Sequence, residues 1–187
     1  KSTTIYKDDI ADGEYSIYYK NGKEKERGNY LMGKAEGKMI GYYATGSKHF
    51  EGHFKNDLRD GIVSIYFRNG NLKEQTEYKA GKADGPNKTY YFTGELKDDS
   101  PYKNDLQEGS FKRYYPNGKT AIEGTFVNGL KEGEWKWQYE NGSPEKNITY
   151  KADKENGKYI AYYENGNKEE EADYVNGKAS GKYIINP

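Results

Sequence analysis

Aromatic and aliphatic residues alternate with polar ones in short runs along this chain, as in Gly13-Glu14-Tyr15-Ser16-Ile17-Tyr18-Tyr19, and each run stops at a glycine-bearing turn. A period of two over a short run predicts a half-buried β-strand. The runs recur in strict register. Glycines stand at Gly13, Gly37, Gly61, Gly85, Gly109, Gly133, Gly157 and Gly181, each 24 residues after the last. A second series, Gly22, Gly46, Gly70, Gly94, Gly118, Gly142 and Gly166, follows nine residues behind, preceded by Asn in five copies and by Thr45 and Thr93 in two. A third turn signal closes each copy at Gly33, Asp57, Gly81, Asp105, Gly129, Asp153 and Gly177.

Asn-Gly between runs of Tyr, Ile and Val predicts a two-residue type I′ turn, in which both central residues need positive φ. Each 24-residue copy therefore reads as a β-hairpin. Strung together, the copies predict an all-β fold: an elongated, single antiparallel meander of about fourteen strands, on the order of 65 Å long at ~4.8 Å per strand. The expected organisation is a lead-in over residues 1–11, seven tandem repeats over 12–179, and a partial eighth repeat or cap over 180–187.

Pairing across Asn-Gly places Gly13 opposite Tyr30, Tyr15 opposite Gly28 and Tyr19 opposite Glu24, so that these side chains share one aromatic face. Its ladders are Tyr19 and Tyr30 with their equivalents, joined by Phe111, Trp135 and Tyr159. On this reading the structural glycines of the repeat, Gly13, Gly37, Gly61, Gly85, Gly109, Gly133 and Gly157, give neighbouring rings a place to lie, as Tyr30 and Phe54 would beside Gly37. The other face carries Glu14, Ser16, Lys25, Arg27 and Asn29. A tyrosine stripe crosses it at Tyr18, Tyr42, Tyr66, Tyr90, Tyr114 and Tyr162, interrupted by Gln138. The stripe serves either as a binding ladder or as sheet cohesion, since Tyr favours strands and stacks on neighbouring methylene stems.

Composition sharpens this picture. A mean hydropathy of −1.24 with 33% hydrophobic residues leaves little for a globular core, yet 21 Tyr, 6 Phe and 2 Trp supply amphipathic surface that disordered chains lack. Thirty basic residues balance thirty acidic ones, so nucleic acid is not an expected partner. No run approaches the ~20 apolar residues of a transmembrane segment. The first residue is Lys1, which fits a trimmed chain or a mature form whose signal was removed, so exported and cytoplasmic locations both stay open. Cysteine is absent.

The pattern G-x-[YFW]-x-x-Y-Y-x-N-G, followed by an aromatic and then N-G-x-x-[ED]-G, resembles the MORN repeat. In particular it is similar to the bacterial variant grouped as YwqK-type putative antitoxins. Glu132 through Gly142 is the nearest single copy, and the likeness runs from Asp12 to about Ala179. The resemblance implies a non-enzymatic binding or scaffolding architecture, with partners that differ among relatives.

Signs of chemistry are sparse. His49 and His53, four apart on one strand, put their Cα atoms roughly 13 Å apart, too far for one metal. Asp12, Glu36, Asp60, Asp84, Glu108 and Glu132 recur before the glycines and read as part of the repeat, whereas an acid-base pair would be singular. Asn56 through Gly61 lacks the ligand spacing of a calcium loop, and Asn87 and Asn147 head glycosylation sequons. Neither a catalytic site nor a metal or cofactor is expected. The leading expectation is a protein-protein interaction module; the alternatives are glycan or small-molecule binding through the tyrosine stripe, or an antitoxin-like partner of a toxin.

Overall fold

The computed structural model describes residues 1–186, which form 20 β-strands and, among the described residues, no helix. The strand pairings among the described residues are antiparallel and join strands adjacent along the chain, or separated only by the short pieces of a broken strand, as a meander requires. The strands fall into two compact units, Lys1–Gly94 and Glu95–Pro187. The first holds Ser2–Lys7, Ile10–Tyr18, Glu24–Leu31, Lys34–Ala35, Gly37–Tyr42, Lys48–Lys55, Leu58–Tyr66, Leu72–Lys79 and Lys82–Tyr90. The second runs from Leu96–Asp99 to Ile184–Ile185 on the same plan. The count exceeds fourteen because some outgoing strands break beside the repeat glycine, as Lys34–Ala35 and Gly37–Tyr42 do, and because residues 1–11 and 178–185 also pair. Ser2–Lys7 behaves as a return strand: Tyr6 opposes Ala11 as Tyr30 opposes Ala35.

The type I′ turn expected at Asn-Gly is not found there. At Asn21-Gly22 only the glycine has positive φ, 82°. The Gly22 amide donates to the Tyr19 carbonyl, and the Tyr19 amide donates to the Lys23 carbonyl. This is a three-residue loop, a type I turn followed by a glycine bulge. Tyr18, not Tyr19, therefore opposes Glu24, while Ile17 opposes Glu26 and the rest of the expected register holds. The type I′ turns lie at the other end of the hairpins. There Met32 and Gly33 have φ of 50° and 79°, Asn56 and Asp57 50° and 70°, and Ala80 and Gly81 48° and 85°.

Met and Ala resist this conformation, so something must hold them in it. The residue before each repeat glycine does so. The amides of Met32, Asn56, Ala80, Asn128 and Ala152 donate to the carboxylates of Asp12, Glu36, Asp60, Glu108 and Glu132, each 20 residues earlier. The next amide in the turn donates to a strand carbonyl 22 residues back, as Gly33 does to Ala11 and Gly81 to Arg59. The recurring acids are therefore turn clamps.

The core is one row deep, on the aromatic face. Its large residues lie beside small ones on the return strands: Tyr15 opposes Gly28, Met39 opposes Gly52, Val63 opposes Thr76, and Phe111 opposes Gly124. A Cβ added at Gly124 would collide with the Trp135 indole, and one added at Gly28 would come within 2.9 Å of the Tyr15 ring. These return-strand glycines make the room for rings. The repeat glycines do not: a Cβ at Gly37 or Gly133 would meet nothing within 4 Å, those at Gly13, Gly85 and Gly157 would crowd Ile5, Glu77 and Thr149 and not an aromatic ring, and Tyr30 opposes Ala35 instead of Gly37. What they supply is backbone, with positive φ at Gly13, Gly37, Gly61, Gly85, Gly109, Gly133 and Gly157. At Gly61 the register shows why. Phe54 pairs with Arg59 but Gly52 pairs with Val63, leaving Asp60, Gly61 and Ile62 facing His53 alone. The glycine thus sits in a bulge, where left-handed φ carries no Cβ penalty.

Candidate functional site

Alternation along each strand puts Glu14, Ser16 and Tyr18, with their equivalents, on the face opposite the core. Ion pairs within and across strands tile that face. Lys38 and Lys48 each lie 3.1 Å from Glu51, and Lys112 lies 4.0 Å from Glu123. Shallow depressions open on it in each unit. In the first, one of about 510 Å³ is walled by Glu14, Ser16, Arg27, Asn29, Lys38 and Ile40, and another of about 260 Å³ by Lys38, Glu51, His53, Ile62, Ser64 and Gln75. In the second, one of about 190 Å³ lies among Ser110, Lys112, Glu123, Thr125, Glu134 and Lys136.

All six stripe tyrosines, Tyr18, Tyr42, Tyr66, Tyr90, Tyr114 and Tyr162, lie half-buried on this face. The rings of Tyr42 and Tyr66 are not bare platforms. The Arg27 guanidinium sits 5.8 Å over the Tyr42 ring and the Lys48 ammonium 5.1 Å over that of Tyr66. The Tyr66 hydroxyl donates to Glu51 at 2.6 Å. That bond, with the Lys38 and Lys48 ammoniums, holds the Glu51 carboxyl down at about 2. Desolvation, reinforced by Glu51, pushes the Tyr66 hydroxyl up to about 12. Tyr15 on the other face is likewise raised, first by burial and then by its bond to Glu26.

A third set of tyrosines does work that the periodicity left unseen. The Tyr19 hydroxyl donates to the carbonyl of Tyr42 at 2.7 Å, Tyr43 to Tyr66 at 2.7 Å, Tyr115 to Gln138 at 2.7 Å and Tyr139 to Tyr162 at 2.9 Å. Each staples one repeat to the next, 23 residues on. The available signal was that the second residue of each aromatic pair keeps its hydroxyl in every copy but one, Phe67. His49 packs against Tyr43 with ring centroids 4.6 Å apart. Asn87 is buried, with its amide donating to Thr76 and Glu74, so its sequon is closed to an oligosaccharide in the folded chain. Among the described residues no group of acidic, histidine or cysteine side chains could hold a metal ion.

In each unit this geometry defines a hairpin-repeat array of turns, staples and ion pairs. The sequence profile of the MORN repeat variant matches seven times, at residues 11–31, 35–56, 59–80, 83–104, 107–128, 131–152 and 155–176. The chain belongs to that family, whose repeats are generally protein- or membrane-binding modules and generally not enzymes. No curated protein shows a significant match.

Proposed function

We propose that the chain is a non-catalytic module that binds a protein partner on the ion-paired face, with the tyrosine stripe as part of the contact. The observation that carries this reading is that, in each unit, depressions on the face opposite the core are walled by acids and bases together, Glu14 with Arg27 and Lys38 in the first and Lys112 and Lys136 with Glu123 and Glu134 in the second. Such a surface suits a partner bearing charges of both signs, and Tyr supplies contact area at low rotamer cost. A glycan-stacking role is less favoured, because the Tyr42 and Tyr66 rings are already covered by Arg27 and Lys48. Action as an antitoxin would be one form of the same activity, with a toxin as the bound protein.

A photo-crosslinker at position 66 or 90, with recovery of the joined protein, would identify the partner. Binding of that purified partner is then measured against Tyr66→Ala with Tyr90→Ala. We expect binding to be lost with the β-sheet circular dichroism intact. Normal binding by the double variant would remove the stripe from the interface.

A further inference from the structure

The type I′ turns carry a pattern that neither the clamps nor the stripe uses. The strand residues that pair on either side of three consecutive turns are Leu31 with Lys34, Lys55 with Leu58, and Lys79 with Lys82. All six are exposed. Each is lysine or aliphatic, and the second unit keeps the rule, as at Val127 with Leu130. No carboxylate occupies any of these positions. Around the Asn-Gly turns at the other hairpin end, bases, acids and aromatics mix, as Lys20, Phe92 and Glu140 show. The bias therefore belongs to one end of the hairpins and not to the composition.

These side chains alternate with Tyr30 and Ala35, so they lie at the margin of the ion-paired face. The aliphatic members also form a floor across repeats: a Cβ at Gly81 would lie 3.2 Å from Leu58, one full repeat earlier in turn order. Successive pairs stand two strands apart, about 9.6 Å, and three residues of an extended polyproline II chain, one full turn that returns side chains to the same side, span about 9.3 Å. A strip of lysines on an aliphatic floor with that spacing is complementary to an extended acidic peptide. An anionic bilayer fits less well, because pressing the turn tips onto it would bring the exposed Asp8 and Asp9 against its charge.

We propose that this row docks an extended acidic polypeptide with a three-residue period, its carboxylates on Lys34, Lys55, Lys79 and Lys82 and its apolar side chains on Leu31 and Leu58. The strip is separate from the tyrosine stripe, so Tyr66→Ala with Tyr90→Ala leaves it intact and the two readings fail independently. The probe is a fluorescein-labelled peptide of Glu-Ser-Leu triplets; the control has the same composition with Glu and Leu alternating and the serines gathered at one end. Anisotropy should show saturable binding of the triplet peptide, weakening as salt rises from about 0.05 to about 0.5 M. Lys79→Glu with Lys82→Glu should weaken it about tenfold or more, and the milder Lys55→Gln about threefold, both with unchanged melting curves. Leu58→Asn should cost about threefold as well. Equal binding of triplet and control peptides would overturn the proposal. So would indifference to the lysine variants, or tighter, equally lysine-dependent binding to phosphatidylcholine vesicles containing about a third phosphatidylserine.

Discussion

Two copies of the same slot, Asn87 in the fourth repeat and Trp135 in the sixth, are filled in opposite ways. Both are nearly closed to solvent, at 8% and 2% exposed. Trp135 stacks on Phe111 at 5.5 Å and meets Phe126 edge-on at 4.9 Å, while its indole N–H donates to the Thr125 carbonyl. The Lys131 ammonium lies 4.9 Å over its ring and closes the open side of a one-layer sheet. Asn87 is held by hydrogen bonds instead. Its amide donates to the Thr76 hydroxyl at 2.6 Å and to Glu74 at 3.2 Å, and the residue equivalent to Lys131 is Ala83. The repeat accepts either filling because turns, clamps and bulge glycines fix the backbone first. Slot chemistry then sets how firmly each copy is held, since burying a large side chain contributes about 1.5–3 kcal/mol and a net hydrogen bond about 1 kcal/mol.

The largest break in this comparison is Trp135→Ala, expected to cost about 3–5 kcal/mol and to free the neighbouring strands for proteolysis. Urea denaturation measures it; a loss no greater than that of Asn87→Ala would show that the two slots are energetically alike. Next come Gly124→Ala and Gly133→Ala, which separate room from backbone. The first drives a methyl into the indole and should cost about 1–3 kcal/mol. The second meets open space at φ of 72° and should cost only the left-handed penalty, about 1 kcal/mol. Asn87→Ala leaves the buried Thr76 hydroxyl one partner short and should cost about 1–2 kcal/mol, whereas Asn87→Val with Thr76→Val should recover most of it. A double variant weaker than the single would mean that Glu74 is the group being satisfied.

The smallest effect is a pH dependence. Glu51 titrates lower in the folded chain than its ordinary 4.5, so its contribution is full above that value. It is lost as pH falls from about 4.5 toward about 2. Because the Tyr66 hydroxyl is the main cause, the gap in denaturation midpoint between the parent chain and Tyr66→Phe should narrow across that window. A gap that stays constant would place the interaction elsewhere.

Much of this was readable from spacing alone. The glycine period gave the hairpins, and the alternation around Tyr15 gave both faces and the Tyr15–Gly28 pair. Turn identity was not readable, because Asn-Gly suits two loop lengths: Gly22 serves the longer one while Met32 and Ala80 take positive φ against their preference. Their stabilising partners, Asp12 and Asp60, lie 20 residues upstream, beyond any local signal. Spacing alone suggests that the repeat glycines make room for rings, whereas Gly37 and Gly133 face open space with positive φ and Gly61 sits in a bulge. Tyr19 and Tyr43 were placed on a face, whereas their hydroxyls bind carbonyls in the next copy, which no face assignment can show.

The hydroxyl staples also bear on how the chain acquires its structure. Each closes over 23 residues, and the turn clamps over 20. Forming them therefore requires only short loop closures, a class of contact that favours fast folding despite an all-β topology. A hairpin leaving the ribosome can be fastened as soon as the following one has been made, so assembly can proceed in the direction of synthesis, one copy at a time.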